Sequence, residues 1–313
     1  MDDFSDRFII GTTILLFSLS SLALNTVVAA AVLNSWKGFR AQPYTQFLFS
    51  MGMAGTIYTA TNFFVSIPCA YAYCPYLNSD TLLIILSLPN TLSFIAYLLA
   101  NFGFAIYRCC IVFSLLSTHR RSVQLVNLCL PWILAVYAVA DTTSRGCIKR
   151  FNRYSIGYTY NCSDCNVWFG ISFIDVNFYA GQILPILMCG MYGIMIADIY
   201  WKKSNNRGGG ASKRSTAFDM KLAFQYLLVC LVQYLASFLF YIIPKFANRS
   251  LLAVIAMNVI GVIDMGLNPL ILLIFNSSVR QATALLLENF LCASKVKPRI
   301  STVVTMYPHK STI

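Results

Sequence analysis

Charge is what this chain has least of. Asp, Glu, Lys and Arg together make up 11% of its 313 residues, against about 25% in a typical soluble domain. With 58% of residues hydrophobic, a water-soluble fold of this size could not hide its apolar surface, so lipid must solvate most of the chain. Histidine is nearly absent: the two present are His119 and His309. No apolar segment therefore holds an imidazole for acid–base work or a nucleophile triad, and neither paired carboxylates nor a serine-nucleophile pattern replaces it. An enzyme is not expected. Cys162-Ser163-Asp164-Cys165 has the spacing of half a zinc site, but no second pair and no nearby histidine completes it, so neither metal nor cofactor is expected. Gly208–Gly210 follow no strand and lack the Gly-x4-Gly-Lys spacing of a phosphate cradle.

The net charge of +12 would suit a nucleic-acid partner, yet the basic residues sit in short loops and the tail between apolar runs. That is the pattern of membrane insertion, with no nucleic acid implied. Seven apolar segments are each long enough to cross a bilayer: Ile9–Leu33, Tyr44–Ala70, Leu82–Leu116, Val123–Ala140, Ile171–Ala197, Met220–Pro244 and Leu251–Phe275. Helices are the economical choice, because backbone groups in lipid must be satisfied within the segment. The acidic start (Asp2, Asp3, Asp6) and the long first run argue for a permanent span over a cleaved signal peptide.

Placing the N-terminus outside puts fourteen Lys and Arg on the inner side and seven on the outer, the bias expected for that orientation. The Thr142–Val167 loop is a basic exception. The sequons at Asn161 and Asn248 fall outside under this topology, and the match at Asn276 falls inside and should stay silent. The Trp201–Phe218 stretch reads as a flexible, basic cytoplasmic linker. After Phe275, Val279, Ala282, Leu286, Leu287 and Phe290 recur at roughly helical spacing, which suggests a short amphipathic helix over about 277–291 on the inner leaflet. Cys292 at its end offers either a palmitoylation site or a plain thiol. The membrane-embedded unit with its terminal helix is thus 1–292, with 293–313 a disordered cytoplasmic tail rich in Lys, Ser and Thr.

Of eleven cysteines, Cys69, Cys74, Cys147, Cys162 and Cys165 lie at or beyond the outer face, which allows two bridges at most. A bridge from Cys74 to Cys162 or Cys165 would pin the loop after the fourth segment over the bundle mouth; spacing does not choose between them. Arg108 interrupts an otherwise apolar run, a placement that costs about 2.5–3.5 kcal/mol at mid-bilayer. At ~1.5 Å rise per residue it lies roughly 39 Å below Leu82, at the inner rim. Two readings stay open: a side chain snorkelling to headgroups, or a charge facing a cavity between helices where a partner inserts.

Several motifs resemble those of the G-protein-coupled receptors. Ile106-Tyr107-Arg108-Cys109 is similar to the Asp/Glu-Arg-Tyr motif at the inner end of their third helix. Asn268-Pro269-Leu270-Ile271-Leu272 resembles Asn-Pro-x-x-Tyr in the seventh, followed as there by an amphipathic helix. Asn25, Pro185 and Pro131-Trp132 resemble the polar residue of helix one, the proline of helix five and the tryptophan of helix four. The pattern departs at Tyr107 for the acid, Leu272 for the tyrosine and Gly55 for the helix-two acid, and Cys-Trp-x-Pro is missing from the sixth segment. So eroded a pattern, with a short N-terminus, Tyr-rich helices and a basic tail, resembles the nematode serpentine chemoreceptors.

The resemblance implies an all-α, seven-transmembrane, rhodopsin-like bundle in the plasma membrane, with sensory cilia as the site for the chemosensory subclass. It implies a small-molecule ligand, a heterotrimeric G protein as partner, and the bilayer as surroundings. Tyr107, Arg108, Asp264, Asn268 and Pro269 would then form the switch. Asp264 and Asn268 share a face of the seventh segment, and Asp264 reads as a neutral hydrogen-bonded residue, as a protonation or sodium switch, or as a pathway residue of a transporter. Thr91, Phe94, Asp175, Phe178, Tyr179, Gln233, Tyr234 and Asn258 lie in the outer half, where a mainly apolar ligand held by a few hydrogen bonds would sit. A small-molecule transporter or channel, and a non-signalling structural membrane protein, are the alternatives. A transporter would be expected to show internal repeats or several polar pathway residues, and neither is evident.

Overall fold

The computed structural model describes residues 4–35, 44–74, 79–113, 121–152, 154–161, 166–168, 170–205, 212–246 and 250–292. Its helices are α1 (Phe4–Asn34), α2 (Tyr44–Phe64), α3 (Ser66–Ala72), α4 (Asp80–Val112), α5 (Arg121–Ser144), α6 (Phe173–Asn205), α7 (Ser212–Phe246), α8 (Leu251–Phe275) and α9 (Ser277–Cys292). With α3 continuing α2 after a break, these make seven long rods and a short terminal helix, the seven-transmembrane bundle expected. Four strands, β1 (Ile148–Asn152), β2 (Gly157–Asn161), β3 (Asn166–Trp168) and β4 (Ile171–Ser172), all lie between α5 and α6.

Apolar side chains face outward over much of the bundle: Leu16, Ile133, Val136, Ile183, Ile186, Ile194 and Leu235 are all exposed. In water such a surface would be an aggregation site; around a bundle it is the lipid face. Among the described residues, five helices are long and apolar enough to cross a membrane, and Leu128–Ser144 is a shorter apolar one. The second rod is more polar because it turns Ser50, Thr59, Thr61 and Asn62 into the bundle, where all four are buried.

Helix ends follow from local chemistry. Ser79 and Ser250 cap α4 and α8, their hydroxyls accepting from the backbone N–H of Leu82 and Ala253. Asn276 caps α9, its Oδ1 accepting from the N–H groups of Ser278 and Val279 at 3.0 and 3.2 Å. Asn276 is buried, so a glycan there would be incompatible with the fold, in agreement with a silent sequon. On α9, Val279 and Ala282 are buried whereas Leu287 and Phe290 stay exposed, as suits a helix lying on an apolar surface.

Some boundaries differ from the sequence reading. The sixth rod begins at Ser212 and the fifth runs to Asn205, so most of the expected 201–218 linker is helix. Lys, Arg, Ser and Asn carry only small helix penalties, and two long rods supply the nucleus from which helix propagates into water. The second rod breaks at Val65, whose φ of −123° and ψ of −71° depart from helical values. The 293–313 tail and Asn248 lie outside the described residues.

The expected bridge between Cys74 and the loop is not formed: Cys74 is joined to Cys69. The backbone turns left-handed at Tyr73 and Cys74, with φ of 54° and 57°, and this brings Cys74 back onto α3. Cys147 is also disulfide-bonded; Cys162 and Cys165 lie outside the described residues. Arg7 finishes this corner. Its Nε and Nη2 donate to the carbonyls of Ala70 and Cys69 at 3.2 and 2.9 Å, and its guanidinium lies 3.4 Å from the centroid of the Tyr73 ring. Orphan carbonyls at a helix end are thereby satisfied by a buried cation, a favourable place for positive charge. Arg7→Ala is expected to lower stability by about 2–4 kcal/mol, with Arg7→Lys losing less. Thermal unfolding of the detergent-solubilised protein measures it.

Candidate functional site

The segment between α5 and α6 builds one end of the molecule. β1 and β2 pair antiparallel, with Lys149 opposite Tyr160 and Phe151 opposite Tyr158. Strand alternation puts these four side chains on one face and Ile148, Arg150 and Thr159 on the other. The first face turns into the bundle. Phe151 is 1% exposed and meets the Tyr158 ring edge-on at 5.2 Å. Tyr158 Oη accepts from Ser66 Oγ at 3.2 Å, and Tyr160 Oη accepts from Asn177 Nδ2 at 3.2 Å. On the other face Arg150 pairs with Asp80 at 3.5 Å, an exposed contact worth little. The turn is tied by Asn152, whose Oδ1 accepts from the N–H groups of Tyr154 and Ser155. Ile156 closes it with a φ of 50°, unusual for a β-branched residue. Its side chain is fully buried and its carbonyl accepts from Asn258 Nδ2 at 2.7 Å, so the surroundings hold the conformation.

Under the hairpin a narrow cleft is lined by Tyr58, Asn62, Lys149, Gly157, Tyr158, Phe240, Met257 and Asn258. Lys149 is partly exposed as a residue, but its Nζ reaches inward to donate to Asn90 Oδ1 at 2.8 Å. Asn90 is fully buried. The Lys149 ammonium also lies 4.9 Å from the centroid of the Tyr158 ring. Burial pushes its pKa from 10.5 down to about 7, because the charged form loses hydration. Burial likewise holds the Tyr158 and Tyr160 hydroxyls neutral, well above the usual phenol range. Gly261 on α8 is required by this packing, since a Cβ there would run into Tyr58 Oη.

Of the expected ligand residues, Asn258 lines this cleft. Thr91 and Gln233 are buried, with the Thr91 hydroxyl and both polar atoms of the Gln233 amide lacking a hydrogen-bond partner, as groups that await water or ligand do. Phe94 packs against the main core, Phe178 meets Tyr241 edge-on at 5.1 Å, and Tyr234 stacks on Phe238. Two lie away from the cleft. Tyr179 is exposed and faces outward. Asp175 is exposed in the first turn of α6: Ser172 Oγ donates to its carboxylate at 2.8 Å and accepts from its N–H at 3.1 Å, so Ser172 caps the helix with Asp175 holding its hydroxyl. The sequence reading missed Lys149, Asn90, Tyr58, Tyr158 and Tyr160. The alternation of KRF and YTY across the basic loop was the signal for the hairpin.

The opposite end of α4 carries Tyr107 and Arg108. Arg108 is 8% exposed, which favours the cavity-facing reading over snorkelling. Around it, the Tyr107 ring lies 5.4 Å from Phe47, and Tyr192 and Tyr226 stack at 6.0 Å. The hydroxyls of Tyr107 and Tyr192 have no hydrogen-bond partner. Between the two ends runs a polar seam. Asn25 Nδ2 donates to the carbonyls of Ser21 and Met265 at 2.9 and 3.2 Å, tying α1 to α8. A Cβ on Gly55 would lie 2.8 Å from Asn25 Oδ1, so the Asn25 amide fills the space left by the missing helix-two side chain. Asn268 Nδ2 meets Met51 Sδ at 3.7 Å beside the buried Pro269. Trp132 Nε1 donates to Ser50 Oγ at 2.9 Å. Asp264 is buried, and Tyr97 Oη reaches its backbone carbonyl at 3.5 Å.

A family model described as "Protein of unknown function (DUF621)" matches residues 4–265. The chain belongs to this family. No curated protein matches the DUF621 chain. Among solved structures, squid rhodopsin is similar over 95% of this chain and 89% of its own, with a TM-score of 0.74 and 11% sequence identity. At that identity the likeness shows the fold: this member of DUF621 has the seven-helix fold of rhodopsin.

Proposed function

We propose that the chain is a chemosensory G-protein-coupled receptor of the plasma membrane, its hairpin end outside and its Arg108 end in the cytoplasm. A small molecule entering beneath the hairpin would favour an arrangement in which the cytoplasmic ends of α6 and α7 part, exposing Arg108 and the neighbouring basic helix ends to a heterotrimeric G protein. The observation that carries this reading is Arg108 itself. It is an arginine buried among tyrosines at one end of the third rod, in a fold that builds a polar cleft at the other. Such a charge is costly unless the protein uses it. Residues 1–292 are the receptor unit in this reading, and Asp264, Asn268 and Pro269 lie on the route between the ends. The motif resemblance to nematode serpentine receptors supports a chemosensory role, with sensory cilia as the site of action.

The test is expression in a heterologous cell, with cyclic-nucleotide and calcium readouts across a panel of small volatile and water-soluble compounds. Agonist-dependent signalling without solute flux is expected. Flux of a panel compound without signalling would replace the receptor by a transporter or channel.

A further inference from the structure

The cleft beneath the hairpin has Lys149 in its lining with Asn90 bonded behind it, and no acid among its described lining residues. Lys149 Nζ has Asn90 Oδ1 as its acceptor, a neutral one. Asn90 Nδ2, on a side chain with no solvent exposure, makes no hydrogen bond of ordinary geometry; the acceptor it interacts with is the neutral Tyr58 hydroxyl. The other polar groups of the cleft are amides and phenols, from Asn62, Tyr58, Tyr158 and Asn258. Among the described residues, the acids near the hairpin are engaged or distant. Asp80 pairs with Arg150 on the far face of the hairpin, Asp141 with Arg145, and Asp175 holds the Ser172 hydroxyl at the start of α6. Asp264 lies six residues beyond Asn258 along α8, about 9 Å deeper. A buried cation is normally matched by a counter-charge, and a buried amide by an acceptor. Both demands meet at this point, and Phe240 and Met257 supply an apolar wall next to it.

We propose that this cleft binds the carboxylate of a small organic acid, with Lys149 Nζ and Asn90 Nδ2 as its donors and its hydrocarbon part against Phe240 and Met257. The proposal deepens the receptor reading and rests on it for its biological meaning: the ligand is apolar in body but anionic at one end. The desolvation that depresses the Lys149 ammonium is relieved by the incoming charge, and charge-assisted hydrogen bonds of this kind are the strong ones.

The experiment is thermal unfolding of the purified full chain in detergent, titrated with linear monocarboxylates from acetate to hexanoate. The alcohols of the same lengths are run alongside, at one pH and one ionic strength. At least one carboxylate is expected to raise Tm saturably, at a half-saturating concentration about tenfold or more below that of its alcohol. Lys149→Met should remove that advantage and Lys149→Arg should keep most of it. Equal shifts from acid and alcohol, no shift from any carboxylate, or an equal shift from sodium chloride would each overturn the proposal. The wild-type comparison decides even if Lys149→Met does not fold. The two readings fail separately. A Lys149-dependent carboxylate shift in a protein that never signals leaves the site standing and removes the receptor. Signalling by neutral compounds in a protein whose Tm no carboxylate shifts does the reverse.

Discussion

Replacing Arg108 with alanine is expected to cut agonist-driven signalling by roughly tenfold or more while the protein still reaches the cell surface. The expectation follows from what the side chain costs and what surrounds it. An arginine within a rod that otherwise meets lipid and packed tyrosines has lost most of its hydration, and such groups are kept where they act on a partner. The hydroxyls of Tyr107 and Tyr192 lie unpaired beside it, so this end of the bundle is not fully satisfied in the closed arrangement. An opening that admits a partner's backbone carbonyls or helix C-terminus would give those hydroxyls acceptors and the guanidinium further ones. Arg108→Lys should retain part of the activity, since it keeps the charge but loses the planar fork of donors. Full signalling by Arg108→Ala, at matched surface level, would remove Arg108 from the mechanism.

The seven rods were legible because lipid imposes a crude requirement that composition alone can satisfy: a long apolar run with its backbone paired internally. Even the polar second rod was readable, since its Ser, Thr and Asn residues interrupt the run without breaking helical geometry. What escaped was anything decided by facing. Phe178 and Tyr179 are neighbours, yet one packs on Tyr241 and the other points outward; a residue's angular position on an isolated apolar helix leaves little trace when every face is greasy. Asp175 was placed in the ligand region by its position in the outer half of the bundle, whereas Ser172 three residues earlier marks it as part of a helix start. The basic loop looked like an exception to the charge rule. Its resolution is that Lys149 belongs to the interior face of a hairpin and Arg150 to the exterior one, a distinction that alternation carries and residue counting discards. The Cys74 pairing went wrong for a related reason: the left-handed turn at Tyr73 and Cys74 is invisible in residue types that rarely adopt it.

Phe151→Ala is expected to loosen the hairpin from the bundle, at a cost of about 3–5 kcal/mol for a fully buried phenylalanine. The ring is the largest apolar anchor of β1. It packs with Ile10, Ile14, Val65, Leu83, Ile156 and Val254 from α1, the α2–α3 break, α4, the hairpin turn and α8. Without it Tyr158 loses its edge-on partner, and the strained Ile156 backbone loses one of the buried side chains clustered with it, with the Asn258 hydrogen bond left beside the remaining packing. Cys147, at the root of β1, is buried against Phe173 at the start of α6, so the hairpin should open as a flap hinged there while the rods stay folded. Hydrogen exchange across residues 148–161 should accelerate by orders of magnitude, with the exchange of α4 and α8 little changed, because local opening draws on contacts of the flap alone. Phe151→Leu, which preserves most of the volume, should sit near wild type. Unchanged protection of the hairpin in Phe151→Ala would mean that the Lys149–Asn90 and Ser66–Tyr158 contacts suffice to close this end. Accelerated exchange confined to the hairpin, together with faster dissociation of any bound carboxylate, would identify the hairpin as the gate through which the ligand enters.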